Sequence, residues 1–263
     1  MSKTLGLALG AGGTRGIAHI GFLKGLEEAG IRPDFISGSS MGSIVGACYS
    51  KGMTCDEMRD IALQLKTSDI LDLSLMSFSK LGLLKCVKVR KLISGFLGDC
   101  TFDQLKIPFS CVAVDLKSGA LKNFSSGGVV DAVLASSAMP SVFRPVEIDG
   151  MLLIDGGVLC RVPVKEVKKL GAEVVVAVDV LGKAEKVEKV PNVISLITRV
   201  YDIMDSKRTQ TVRTKHRRKI DLWLEPEMDD VSQYKVKNIE SAYEAGYRLG
   251  VENAQKIKQL ISD

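Results

Sequence analysis

Asp34-Phe-Ile-Ser-Gly-Ser-Ser-Met-Gly-Ser-Ile-Val-Gly-Ala-Cys-Tyr-Ser-Lys51 decides the fold. Asp34 to Ser37 reads as a short strand, and Ser43 to Lys51 as a helix of small and apolar residues. Between them the chain turns sharply through Gly38-Ser-Ser-Met-Gly42. The preceding segment has the same plan. Thr4 to Leu9 is a buried strand, Gly10 to Gly16 is a glycine-rich turn, and Arg15 to Ala29 is a helix stopped by Gly30. Ile17, Ile20, Leu23 and Leu26 recur at helical spacing along it. Two successive strand–turn–helix units imply a parallel sheet with crossover helices. The expected fold is α/β with three layers, α/β/α, around a mostly parallel central sheet.

The rest of the chain extends this plan. Thr54-Cys-Asp-Glu57 is a capping box opening a helix to Leu65. Ile107 to Val114 is a strand, paired with Ala120 to Phe124 across Lys117-Ser-Gly119. A helix over Val129 to Ala138 precedes two strands that turn at Asp149-Gly150. Pro163 to Leu170 is a helix, and Glu173 to Val180 is a strand apolar enough to be buried on both faces. A helix to about Lys215, a strand at Ile220 to Leu224 and a helix from about Gln233 complete the chain. Residues 1–181 form the expected core, and 182–263 an extension packed on the same domain. Ile70 to Leu97 mixes apolar residues with lysines and reads as a cap over a site or as helical packing.

Composition narrows the classes. With 263 residues, 46% apolar and 25% charged, the chain is globular rather than disordered or collagen-like. None of its 6 cysteines forms a C-x-x-C pair, which fits buried thiols in a reducing compartment. The N-terminus is too short and glycine-interrupted for a signal peptide, and no stretch approaches the ~18 apolar residues of a spanning helix. A cytoplasmic protein, at most peripheral to a membrane, is expected. Only 2 histidines leave little room for a multi-histidine metal site. No cofactor is expected. Of the formal charge of +5, Arg199 to Lys219 carries eight basic residues against two acids, and the remainder of the chain sums to −1. That segment reads as a solvated helix face or as a contact for anionic lipid headgroups. Nucleic acid is not expected, because the aromatic interleaving of a stacking surface is missing.

Gly38-x-Ser40-x-Gly42 has the form of a nucleophile elbow. A serine in a strained strand-to-helix turn exposes its hydroxyl at a helix N-terminus, and flanking glycines let strand and helix approach. The alternative is a turn with a serine cap. Gly10-Ala-Gly-Gly-Thr-Arg-Gly16 also has two readings. A dinucleotide loop needs glycine where Arg15 stands and an acid closing the second strand, which is missing. An oxyanion hole needs only backbone N–H groups, which consecutive glycines can aim at one point. For a base, His19 sits one turn into a helix, where a satisfied structural histidine is the simpler reading. His216 follows Asp155 in the Ser…Asp…His order of α/β-hydrolases, but flanking cations disfavour its imidazolium. Asp155 ends an apolar strand before Gly156-Gly157 and is the better candidate, with a turn aspartate as the plain alternative. An ordinary carboxylate is a weak base for a hydroxyl, and partial burial would improve the match.

These motifs, in this order, resemble the patatin-like phospholipases, acyl hydrolases with a Ser–Asp dyad. Leu7-Ala-Leu-Gly10, Ala18-His-Ile-Gly21, Ala138-Met-Pro140, Phe143-Arg-Pro-Val146 and Leu153-Ile-Asp-Gly-Gly-Val-Leu159 look like the bacterial single-domain members. The resemblance runs from about residue 4 to residue 181. It implies Ser40 as nucleophile, Asp155 as general base, and N–H groups around Gly12, Gly13, Thr14 and Arg15 as the oxyanion hole. It implies an ester of a lysophospholipid, phospholipid or other acyl lipid as substrate, with no metal. Ala11 stands where many members have glycine, and Cys160-Arg161 replaces a frequent asparagine pair. A membrane- or partner-binding regulator with weak turnover, and an acyltransferase, are the alternatives on the same fold.

Overall fold

Short apolar runs such as Val174–Val178 become strands because valine's branched side chain suits a pleated surface covered on both sides. The computed structural model describes residues 2–70, 84, 86–140, 142–183, 187, 189–228 and 231–262. Strand β1 (Leu5–Leu9) leads through a 3-10 turn (Gly13–Ile17) into α1 (Ala18–Glu28), and β2 (Phe35–Ser39) leads directly into α2 (Met41–Lys51). Three helices follow: α3 (Cys55–Gln64), α4 (Thr67–Ile70) and α5 (Val87–Leu97). Then come β3 (Phe109–Asp115), β4 (Leu121–Phe124), α6 (Val129–Ser136), β5 (Val146–Ile148) and β6 (Met151–Asp155). The chain continues through α7 (Val164–Lys169), β7 (Val174–Val178), α8 (Val193–Lys215), β8 (Leu222–Leu224) and α9 (Ile239–Ser262).

The strands form one sheet in the order β5-β6-β3-β2-β1-β7-β8, with β4 also paired to β3. From β3 through β8 neighbouring strands are parallel, while β4, β5 and β6 form an antiparallel margin. Alternation along the strands sorts side chains into two layers. Leu5, Leu7 and Leu9 join the larger core with α1, α2 and α9, whereas Ala8, Val175 and Ala177 pack with Val164 and Val167 of α7. The α/β/α architecture is therefore as expected, with a thin layer on the α7 face.

The helix predicted from Arg15 begins as a 3-10 turn and becomes α-helical only at Ala18. The last helix starts at Ile239 rather than near Gln233, because the Gln233 and Tyr234 side chains are bonded to Asp202 of α8. The Thr54–Glu57 capping box forms as expected. Residues 71–83 and 85, most of the first part of the expected cap, lie outside the described residues.

Helices α1 and α9 meet through glycines spaced four apart on each. A Cβ on Gly21 would lie 2.0 Å from the Tyr243 carbonyl oxygen, and one on Gly246 would lie 1.9 Å from that of Ala18. Both positions require backbone-to-backbone approach. Gly246→Val should therefore cost about 2 kcal/mol or more in urea unfolding, as overpacking forces the helices apart. Gly95, inside α5 with nothing near its missing Cβ, is the contrasting case. Gly95→Ala should stabilise by about 0.5–1 kcal/mol.

Candidate active site

Ser40 is held where no L-residue sits comfortably, at φ 52° and ψ −123° between the end of β2 and the first turn of α2. Its glycine neighbours are obligatory. A Cβ on Gly38 would lie 2.4 Å from the Gly42 carbonyl oxygen, and one on Gly42 would lie 2.3 Å from that of Leu9. The turn is braced by serines. Ser40 N–H donates to Ser136 Oγ at 3.0 Å, and Ser43 Oγ donates to the Ser40 carbonyl at 2.6 Å.

Strand β3 brings the carboxylate to this hydroxyl. Ser39 lies opposite Val112 on one side of β3, and Asp155 lies opposite Ala113 on the other. Because β6 runs antiparallel to β3 and enters from beyond the end of β2, its last residue reaches the level of Ser40. Ser40 Oγ donates to Asp155 Oδ2 at 2.6 Å, and Gly157 N–H donates to Asp155 Oδ1 at 2.7 Å. Asp155 is 5% exposed. Burial pushes its carboxyl up to about 6, opposed by the hydrogen bonds from Ser40 and Gly157 and aided by Asp205. It is an acceptor poised near neutral pH, which suits a general base.

The glycine turn lies against the same elements. A Cβ on Gly16 would lie 2.4 Å from Met41 Cγ, and one on Gly12 would lie 2.2 Å from Val180 Cγ2. Gly13 has φ 51°, and its missing Cβ leaves room for the Gln233 carbonyl. Thr14 N–H donates to that carbonyl at 3.1 Å, and Arg15 N–H donates to Gly12 O at 3.1 Å. The N–H groups of Gly12 and Gly13 have no protein acceptor among the described residues. Arg15 also donates through Nε to Val231 O at 2.6 Å and through Nη2 to Met228 O at 3.0 Å. Ala11 has no positive φ, so alanine is unstrained there.

The histidines are elsewhere in role. His19 is fully buried with Nε2 2.8 Å from the Gly10 carbonyl. Burial lowers its pKa to about 4, so the ring is neutral and Nε2–H pins the glycine turn. His216 caps the end of α8, and desolvation, then Lys165, Lys219 and Lys215, hold its pKa down. Among the described residues no group of three His, Cys, Asp or Glu side chains is placed to hold a metal.

Helix α8 supplies residues that the sequence did not single out. Arg208 donates to the carbonyls of Gly157, at 2.7 Å, and of Val158. Its neighbour Asp205 accepts from Arg161 Nη1 at 2.9 Å, while Arg161 Nη2 reaches Asp179 at 2.7 Å. Tyr201 Oη lies 3.2 Å from where a Gly157 Cβ would be. Burial and then the nearby Asp155 raise its pKa. Tyr201, Asp205 and Arg208 recur at helical spacing, and a search for a polar stripe on that helix would have found them.

Comparison with known proteins places the chain in a family. A family model described as patatin-like phospholipase matches residues 7–168. An uncharacterized NTE family protein of Mycobacterium tuberculosis is 39% identical over 181 residues, covering 69% of this chain and 50% of the relative. Patatin-like phospholipase domain-containing protein 6 of Mus musculus is 30% identical over 191 residues, covering 70% and 14%. The chain thus spans about half the length of the mycobacterial relative and far less of the mouse one. Among solved structures, VipD of Legionella pneumophila aligns with a TM-score of 0.62 at 14% identity, over 97% of this chain and 67% of that one. The type III effector ExoU aligns at 0.52 and 15% identity, over 97% and 53%. At these identities they show a shared fold.

The buried Arg161 links the loop after Asp155 to β7 and α8. Arg161→Met would leave Asp179 and Asp205 buried without their common cation. It should cost about 3–5 kcal/mol in denaturant unfolding.

Proposed function

The chain belongs to the patatin-like phospholipase family, and from that premise we propose that it is a serine acyl hydrolase cleaving fatty-acyl esters of lipids with Ser40 and Asp155. The observation that carries this is the 2.6 Å hydrogen bond from a strained serine hydroxyl to a buried carboxylate. The family names of the relatives, one of them a fungal lysophospholipase 26% identical over 97% of this chain, support a lipid ester as substrate.

In the first half-reaction Ser40 Oγ attacks the ester carbonyl carbon while Asp155 Oδ2 takes the hydroxyl proton. Negative charge moves to the carbonyl oxygen, where N–H groups of the glycine turn offset it. Gly12 and Gly13 are the donors open for this role, and those of Thr14 and Arg15 join only if their present acceptors are given up. The tetrahedral adduct collapses, and Asp155 returns the proton to the departing alcohol oxygen. In the second half-reaction Asp155 takes a proton from water, which attacks the acyl-enzyme. Collapse releases the fatty acid, and the proton passes back to Ser40. The α2 N-terminus behind Ser40 favours the developing negative charge.

A labelled fluorophosphonate should mark the wild-type chain and leave Ser40→Ala unmarked, and equal marking of both would overturn the nucleophile. Asp155→Asn should lower kcat/KM on p-nitrophenyl butyrate by at least about 10³-fold, since a neutral amide cannot accept the proton.

The pH dependence has a fixed sign. Below about 6 Asp155 is protonated and cannot act as base, and above it the carboxylate is available. In a pH–rate profile, kcat/KM should rise with pH through a midpoint near 6 and then level.

A further inference from the structure

Helix α8 is amphipathic in the reverse sense to an ordinary surface helix. Its inner face is polar: Asp205, Ser206 and Thr209 are buried, and Tyr201, Asp202 and Arg208 are partly so. Its outer face is apolar. Val193, Leu196, Ile197, Val200, Ile203 and Met204 are between 43% and 69% exposed. They recur at helical spacing as one stripe about 16 Å long. A continuous apolar stripe of this size in water marks a surface that meets something else.

The stripe has cationic company. Lys183, Arg199 and Lys207 line an open cleft of about 280 Å³ beside Ile203, together with Ser206 and Gln210. None of the three cations forms a salt bridge among the described residues. From residue 189 to 219 the only acids are Asp202, half-buried, and Asp205, buried, and both are held by other side chains of the protein. Asp202 accepts from Gln233 at 3.0 Å and from Tyr234, and Asp205 is held by Arg161 and Arg208. Arg217, Arg218 and Lys219 extend the exposed positive charge past the end of the helix.

We propose that the outer face of α8 is a docking surface for an anionic lipid bilayer, with the apolar stripe entering the acyl boundary and Lys183, Arg199 and Lys207 meeting headgroup phosphates. A bilayer satisfies both halves of the surface at once. A second copy of the same face would set cation against cation. The inner side of the same helix touches the loop that carries Asp155, so docking places the bilayer about one helix diameter from the site. This deepens the proposed function and rests on it for the location of the substrate, whereas the binding itself is measured without turnover.

The test uses the full chain and sedimentation with vesicles of phosphatidylcholine, alone or with about a third phosphatidylglycerol. Wild type and Ser40→Ala should both sediment with the anionic vesicles, and less so at high salt. Ile197→Glu with Val200→Glu should lower partitioning at least about tenfold, as both side chains lose their apolar contact and gain charge. Arg199→Gln with Lys207→Gln should remove the preference for anionic vesicles, and it stands as a second arm with the helix's apolar face intact. Circular dichroism checks the fold of each variant. Wild type that ignores anionic vesicles overturns the proposal, as does undiminished binding by the glutamate variant. So does a dimer in light scattering that the glutamate variant dissociates, for then the stripe is a self-interface. Turnover of soluble p-nitrophenyl butyrate without vesicle binding overturns docking and leaves the function standing. Vesicle binding without turnover does the reverse.

Discussion

The hydrogen bond between Ser40 and Asp155 depends on β3 lying between the strands that carry them. Ser40 stands one residue past the Ser39–Val112 pair, and Asp155 faces Ala113. Moving β6 along β3 by one residue would turn its side chains to the opposite face. The contact is thus fixed by strand pairing that continues well beyond the two residues. The strain at Ser40 is supported in the same way, since Gly38 and Gly42 allow backbone approaches that no side chain permits. Rigid sheet geometry holds an unfavourable φ, and that φ aims the hydroxyl.

Burial then sets the basicity of Asp155. An exposed aspartate would ionise near 4 and accept a hydroxyl proton poorly. In its pocket Asp155 is pushed up to about 6, while two hydrogen bonds limit the shift. The bond from Gly157 N–H also fixes which oxygen faces Ser40. Around this pair, α8 closes the far side through Arg208 and Asp205. The helix therefore turns polar groups inward, toward carbonyls and carboxylates that need partners, and this leaves its apolar residues outside. Its inverted polarity is a consequence of where it packs.

Much of the fold was legible in the sequence because short-range rules govern it. The strand–turn–helix units at Leu5–Glu28 and Phe35–Lys51, the Thr54–Glu57 capping box and the turn at Asp149-Gly150 depend on neighbours within a few residues. The sharp serine turn between β2 and α2 was legible for the same reason. Boundaries failed where tertiary contacts took over, as at Gln233, whose bond to Asp202 keeps it out of α9. Counting charge over Arg199–Lys219 also concealed what mattered there. Asp202, Asp205 and Arg208 face the protein, and the net charge does not distinguish faces.

By itself the sequence determined the strand and helix types, the G-x-S-x-G turn and the three candidate bases worth weighing, because periodicity and glycine placement act locally. It did not determine that His19 is a buried pin for the glycine turn, that the Thr14 N–H already has an acceptor in Gln233, or that α8 covers the Asp155 loop. Those facts join residues separated by up to some two hundred positions in the chain, such as Thr14 and Gln233. Only the folded sheet brings them within hydrogen-bonding distance, and only burial in that fold moves the Asp155 and His19 titrations.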